Sequence, residues 1–260
     1  MTKRKKNTII LSAITTVTAV SLGGTYFMKY NSLRSDSSQA ALPEGFTVTA
    51  HTGCEKTADN TLGSITAGVK AKADIVEIDL HFLPDGTPVL SHNTPSGAKK
   101  LPTLEEAFSL LSTLDIKMNV DVKSTANIPE VLTLAEKHGV TDKIFFTGVE
   151  EKYVEAVRKG APDVPYFLNF GVEKNKNTDA EYLASLINKV KACGAVGINM
   201  NFRGASKQLV EAFRKEGLLV SLWTANKKSE MYRCLVFEPD NITTRKPSGL
   251  IDIMLGQNKK

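Results

Sequence analysis

Residues 74–93, Asp74-Ile-Val-Glu-Ile-Asp-Leu-His-Phe-Leu-Pro-Asp-Gly-Thr-Pro-Val-Leu-Ser-His-Asn93, decide how the rest of the chain is read. An apolar run carries Glu77 and Asp79 at spacing i, i+2. Strand side chains alternate with period two, so both carboxylates share one face. Asp85-Gly86 predicts a tight turn, after which a second short strand delivers His92. Two acids on one face with a histidine beside them suggest a metal site with an acid/base group. Taken alone, the segment also fits an edge strand with two solvated acids, so its neighbours decide.

Outward from this stretch, strand-like runs alternate with amphipathic helical stretches from residue 45 onward. Strands are expected over 46–51, 75–83 with an appended hairpin to 92, 117–123, 144–147, 164–170, 196–201, 218–224 and 241–244. Helices are expected over 57–72, 103–114, 128–138, 150–159, 179–193, 206–215, 228–236 and 249–256. Thr103-Leu-Glu-Glu106 has the form of a capping box, and Gly139 suits a helix C-terminus. Eight such units predict an α/β fold, a (β/α)8 TIM barrel with a parallel sheet covered by helices. A doubly wound open sheet is the alternative, but no glycine-rich fingerprint follows the first strand. The length of 260 residues suits one such barrel.

Composition narrows the classes. With 42% hydrophobic and 23% charged residues the chain is ordinary for a globular protein. The net charge of +5 sits largely at the tips, in Lys3, Arg4, Lys5 and Lys6 and in Lys259 and Lys260, which leaves a nearly neutral body. Nothing in that body points to nucleic acid. Cys54, Cys193 and Cys234 are widely spaced with no CxxC pair, so neither a zinc framework nor a disulfide scaffold is expected.

The N-terminus has the form of an export signal: the basic cluster 3–6, then an uncharged run from Asn7 to Met28. That run reaches the roughly 20 residues a bilayer span needs. Positive charge ahead of it holds the N-terminus inside and puts the body outside. The expected organisation is a single N-terminal transmembrane signal anchor, or a cleaved signal peptide, over 1–28, a polar linker over 29–44 and the barrel over 45–260. The protein is therefore expected at the cell membrane with an extracellular catalytic domain, or secreted if the segment is cleaved.

A barrel of this type carries its chemistry at the C-terminal ends of the strands. The polar residues there are His51, Glu77 with Asp79, Asp121 with Lys123, Thr147, Asn169, Asn199 with Asn201, Trp223 with Thr224, and Thr243 with Thr244. Ionisable groups crowd the first three strands. Glu77, Asp79 and Asp121 repel one another unless a cation lies between them. Oxygen-only ligation suits a hard divalent ion, Mg²⁺ or Ca²⁺. His51 and His92 at the same end make an acid/base pair, one to deprotonate the attacking oxygen and one to protonate the leaving oxygen.

His51-Thr-Gly53, Asp59-Asn-Thr61, Glu77-Ile-Asp79, Asp85-Gly-Thr-Pro-Val-Leu-Ser-His92 and Pro102-Thr-Leu-Glu-Glu-Ala-Phe108 together resemble the glycerophosphodiester phosphodiesterase signature. Asn119-Val-Asp-Val-Lys123, Trp223-Thr-Ala-Asn226 and Asp240-Asn-Ile-Thr-Thr-Arg-Lys-Pro247 agree, so the resemblance covers residues 46–256. It implies a TIM barrel that hydrolyses glycerophosphodiesters to sn-glycerol 3-phosphate and an alcohol with a divalent metal. By position it implies His51 and His92 as the catalytic pair and Glu77, Asp79 and Asp121 as metal ligands. On the substrate side it implies Lys123 on the phosphate, Asp59 as the acid of the second motif and Trp223 as a wall of the glycerol pocket.

Three departures stand out. The family's first motif is His-Arg-Gly, with the arginine on the phosphate, and here Thr52 replaces it. A hydroxyl brings no charge and cannot replace a bidentate fork, so phosphate binding is expected to weaken unless Lys56, Lys123 or Arg203 compensates. Asp59 and Asp121 stand where glutamate is usual, one methylene shorter. Only nine residues separate His92 from Pro102, so a small capping domain is not expected and the site should be open. Two other readings stay in play: a phospholipase resembling sphingomyelinase D that acts on lipid head groups, and a non-catalytic barrel that binds a phosphodiester ligand.

Overall fold

The structure, a computed structural model, describes residues 28–96 and 100–257. Its strands are β1 (Thr47–Ala50), β2 (Ile75–Phe82), β3 (Pro88–Leu90), β4 (Lys117–Val122), β5 (Ile144–Val149), β6 (Tyr166–Asn169), β7 (Gly197–Asn201), β8 (Leu219–Trp223) and β9 (Asn241–Thr244). Eight run parallel in the order β1-β9-β8-β7-β6-β5-β4-β2, and β1 also pairs with β2, which closes the ring and excludes the open sheet. β3 adds antiparallel to β2 with Leu80 opposite Leu90, the hairpin expected from Asp85-Gly86.

Why these residues make a barrel is visible in the alternation along each strand. Val76, Ile78 and Leu80 on β2, and Met118, Val120 and Val122 on β4, are buried together with helix residues such as Leu104, Phe108 and Leu111. Burying each such side chain contributes about 1.5–3 kcal/mol. The opposite face points into the barrel, and much of it is polar. Thr49 Oγ1 donates to Asn241 Oδ1 at 2.8 Å, Asn241 Nδ2 donates to Ser221 Oγ at 2.9 Å, and Thr147 Oγ1 donates to Asn119 Oδ1 at 2.8 Å. The apolar core thus lies between strands and helices, while the interior of the ring carries hydrogen-bonded polar pairs.

Helix boundaries follow their caps. The Thr103–Glu106 capping box is complete: Thr103 Oγ1 accepts from Glu106 N at 3.1 Å and Thr103 N donates to Glu106 Oε2 at 2.8 Å, opening helix Leu104–Ser112. The helix expected over 57–72 runs over Leu62–Lys70 instead. Thr61 caps it by accepting from Ser64 N at 3.2 Å, and Cys54–Lys56 form a separate 3₁₀ turn. All three cysteines are free, with Cys54 and Cys234 buried.

The transmembrane or signal helix expected over 1–28 lies outside the described residues, apart from Met28. Among the described residues no helix is long and apolar enough to cross a membrane. Within the stretch read as a linker, residues 29–37 are helical, and Tyr30 meets Tyr232 edge-on with ring centroids 5.6 Å apart.

Thr103→Ala removes one half of the capping box and is expected to cost about 1 kcal/mol. That corresponds to a fall in Tm of about 2–4 °C. A thermal melt giving an unchanged Tm would contradict the energetic role assigned to this cap.

Candidate active site

The parallel register of β2 and β4 sets Glu77 opposite Asn119 and Asp79 opposite Asp121. Carboxylate oxygens of Glu77, Asp79 and Asp121 consequently lie within 4.8 Å of one another. Glu77 and Asp79 are only 4% and 3% exposed. The three acids line a cavity of 320 Å³ at the C-terminal end of the barrel, together with His51, His92, Asn119, Lys123, Asn169, Asn199, Trp223 and Thr243.

Burial, then the fields of Asp79 and Asp121, pushes the Glu77 carboxyl well above its ordinary pKa. Burial likewise raises Asp121, outweighing Lys123. Burial would also raise Asp79, but Lys123 and the hydrogen bond from Asn60 reverse the sign and hold it below the ordinary value. The Lys123 ammonium lies 2.6 Å from Asp121 Oδ2 and 3.1 Å from Asp79 Oδ1. Burial works against that charge, yet the two acids outweigh it, so Lys123 stays protonated.

These residues fit a hard divalent cation. Fully ionised, three acids against one ammonium would carry two net negative charges in a buried space, which a divalent ion cancels. Asp121 Oδ1 is buried without a hydrogen-bond partner, as a ligand oxygen awaiting a cation would be. The donor set is all oxygen, as Mg²⁺ or Ca²⁺ prefers. Gly148 (φ 70°) makes room for it: a Cβ there would stand 2.1 Å from Asp121 Oδ1.

His51 follows the end of β1. Its Nδ1–H donates to the Thr52 carbonyl at 2.8 Å and lies 3.6 Å from Glu77 Oε2, leaving Nε2 as the basic nitrogen. Burial depresses its pKa, so the ring is neutral near pH 7. His92 follows β3 and sets Nδ1 3.3 Å from Asp79 Oδ1. Its side chain is 67% exposed, in contrast to the 23% of His51. Trp223 at the end of β8 lines this cavity and also an adjoining groove of 820 Å³ that includes Phe170, Val172, Lys174 and Arg203. Its indole Nε1 is buried without a partner.

Seven of the eight residues singled out from the sequence therefore line one cavity. Asp59 does not; its carboxylate is taken by Arg245 at the end of β9. Of the cations offered as substitutes for the missing arginine, Lys123 lies among the acids, Arg203 pairs with Glu230 at 3.5 Å in the adjoining groove, and Lys56 is exposed. Thr52 is 1% exposed and turned into its own loop, where Oγ1 accepts from Asn60 N at 2.6 Å and its N–H donates to Glu77 Oε2 at 2.7 Å.

Asn60 was not legible as a site residue. Its Nδ2 donates to Asp79 Oδ2 at 2.8 Å while its Oδ1 accepts from Asp79 N at 2.9 Å, which locks the carboxylate in place. The available signal was an asparagine in a short polar loop, where a positive φ, here 56°, is tolerated.

The chain matches the family described as "Glycerophosphoryl diester phosphodiesterase family" over residues 51–95 and 93–248. It is 22% identical over 255 residues to a glycerophosphodiester phosphodiesterase of Caldanaerobacter subterraneus subsp. tengcongensis, covering 80% of this chain and 97% of that one. Among solved structures it resembles a phosphodiesterase of Oleispira antarctica in complex with the product sn-glycerol-3-phosphate, with TM-score 0.67, 18% identity, and 82% and 97% of the two chains covered. A glycerophosphodiester phosphodiesterase of Parabacteroides distasonis gives TM-score 0.66 at 15% identity, with 82% and 98% covered. These structural likenesses are of fold.

Because the folded pKa of Glu77 is raised, its burial is tolerated at acid pH and destabilises the metal-free protein as the pH rises through that value. Glu77→Gln is therefore expected to raise the Tm of chelator-treated protein at about pH 8. It should also abolish the upward Tm shift produced by Mg²⁺ or Ca²⁺. A metal-induced shift of wild-type size in Glu77→Gln would show that the cation binds elsewhere.

Proposed function

This chain belongs to the glycerophosphoryl diester phosphodiesterase family, and we propose that its hydrolysis of glycerophosphodiesters to sn-glycerol 3-phosphate and an alcohol runs through His51 and His92 at a divalent-metal site of Glu77, Asp79 and Asp121. The observation that supports this reading is the single cavity lined by both histidines, all three acids and Lys123. A divalent cation bound there supplies positive charge to the phosphoryl oxygens and lowers the cost of the charge that builds up on them.

The protein groups divide the proton traffic by environment. His51 is neutral and presents Nε2, so it takes the proton of the attacking oxygen. His92, with Asp79 beside its Nδ1, is the general acid that protonates the departing alcohol oxygen as the attacking oxygen bonds to phosphorus and the P–O bond to the alcohol breaks. Lys123 stays charged between Asp79 and Asp121 and faces the phosphoryl group from the same side as the acids. Trp223 lines both the reacting cavity and the adjoining groove, which accommodates the alcohol half of the diester. Among the described residues no helix or strand lies between β3 and helix Leu104–Ser112. The basic cluster 3–6 and the uncharged run after it support attachment to the outer face of a membrane, with the barrel outside.

His51→Ala and His92→Ala are each expected to lower kcat/KM on glycerophosphocholine, glycerophosphoglycerol polymer or a lysophospholipid by about 10²–10⁴-fold. EDTA should abolish the activity, and Mg²⁺ or Ca²⁺ should restore it. Hydrolysis surviving in both histidine variants would refute the assignment, and the preferred diester in that panel identifies the head group served.

A further inference from the structure

The family motif puts an arginine at position 52, yet Thr52 is buried and tied to Asn60, so its side chain does not line the cavity. A guanidinium is nevertheless present beside the same loop. β1 and β9 pair in parallel with Ala50 opposite Thr244, and His51 N continues the ladder to Thr244 O at 2.9 Å, so Arg245 is the next residue along from the partner of His51. The backbone of Arg245 is held on both sides: its carbonyl accepts from Glu55 N at 2.9 Å, and its N–H donates to Asn226 Oδ1 at 2.8 Å. The side chain then reaches back across the β1–β9 seam. A Cβ on Gly53 would lie 2.5 Å from Arg245 Nη1, which places the guanidinium over the residue two along from His51.

Asp59 holds this guanidinium through both terminal nitrogens, Nη1 to Oδ1 and Nη2 to Oδ2. Arginine carries five N–H donors, and among the described residues only these two bonds engage its side chain, so Nε–H and one N–H on each terminal nitrogen are open to a further acceptor. The hydrogen bond to Asp59 does most to keep the group charged, and the carboxylates of Glu77 and Asp79 add to it, so the charge is felt at the acid cluster. The side chain is 37% exposed, open to an incoming anion yet aimed by its partner.

We propose that Arg245 is the phosphate-binding guanidinium of this enzyme, delivered from the end of β9 in place of the arginine that the family carries beside the first histidine. It takes the diester chemistry above as given and supplies the charge that Thr52 lacks. Asp59 then positions the guanidinium and does not itself touch substrate; Arg245 and Asp59 both stand outside the cavity wall, beside the loop that carries His51. The bidentate geometry needed for two phosphoryl oxygens is a property of the guanidinium fork and not of a lysine ammonium.

The test is calorimetric titration of the full-length protein with sn-glycerol 3-phosphate in Mg²⁺, alongside steady-state hydrolysis of the best diester and a thermal melt of each variant. Arg245→Gln is expected to weaken sn-glycerol 3-phosphate binding by about 10-fold or more, and to raise KM more than it lowers kcat. Arg245→Lys should keep the ion pair and recover part of that affinity. Asp59→Asn breaks the same ion pair while leaving the guanidinium, and should hold the binding loss to about three-fold. Equal losses in Arg245→Gln and Asp59→Asn would mean that the pair only staples the loop to β9. Unchanged sn-glycerol 3-phosphate affinity in Arg245→Gln would likewise overturn the proposal, while wild-type hydrolysis left the functional reading standing. A wild-type protein that neither binds sn-glycerol 3-phosphate nor cleaves any diester would sink both.

Discussion

Three carboxylates held within 4.8 Å of one another in a buried cavity are the constraint on which the rest of this face depends. Two like charges about 4 Å apart repel by about 4 kcal/mol at an effective dielectric of about 20. Three such pairs rival the roughly 5–15 kcal/mol that holds a whole domain folded. The structure meets this repulsion in two ways of its own. Glu77 is pushed toward its neutral form, and Lys123 is wedged between Asp79 and Asp121. The remaining imbalance, and the unpartnered Asp121 Oδ1, are compatible with a divalent cation in this cavity.

The second requirement is that the loop after β1 be rigid, because it carries His51 and donates to Glu77. Thr52 uses its hydroxyl on Asn60 N, its N–H on Glu77 and its carbonyl on His51 Nδ1, so one residue connects the histidine, the loop and the acid. Asn60 carries the same loop on to Asp79 through two further bonds. The threonine that reads as a loss in the sequence is therefore a structural keystone of the loop, and the charge it lacks stands on the neighbouring strand end at Arg245. Closure of the barrel between β1 and β9 brings residues 186 apart in sequence, Asp59 and Arg245, into one ion pair.

Period-two alternation and helix caps carried most of the fold. Glu77-Ile-Asp79 placed its acids inward, and Thr103–Glu106 opened its helix where expected, because both signals are local. Eight strand–helix units, with the acids on the second and third and His51 and His92 on the first and second, were enough to collect seven of the eight candidate residues around one cavity. The start of the first barrel helix was misjudged because the competing signal, Thr61 as an N-cap after a tight 3₁₀ turn, lies inside a run of polar residues that reads equally well as helix. The roles of Thr52, Asn60 and Arg245 were out of reach for a different reason. Which way a loop side chain turns depends on partners from other strands, and those meet only once the ring is closed.

The central claim, that the buried acids form the metal centre of a diester hydrolase, is tested most directly by locating the ion. A crystal grown with Mn²⁺ as a stand-in for the native cation, and measured at its absorption edge, should give one anomalous peak bounded by oxygens of Glu77, Asp79 and Asp121. A crystal with full Mn²⁺ occupancy elsewhere and no peak among these three residues would contradict the account.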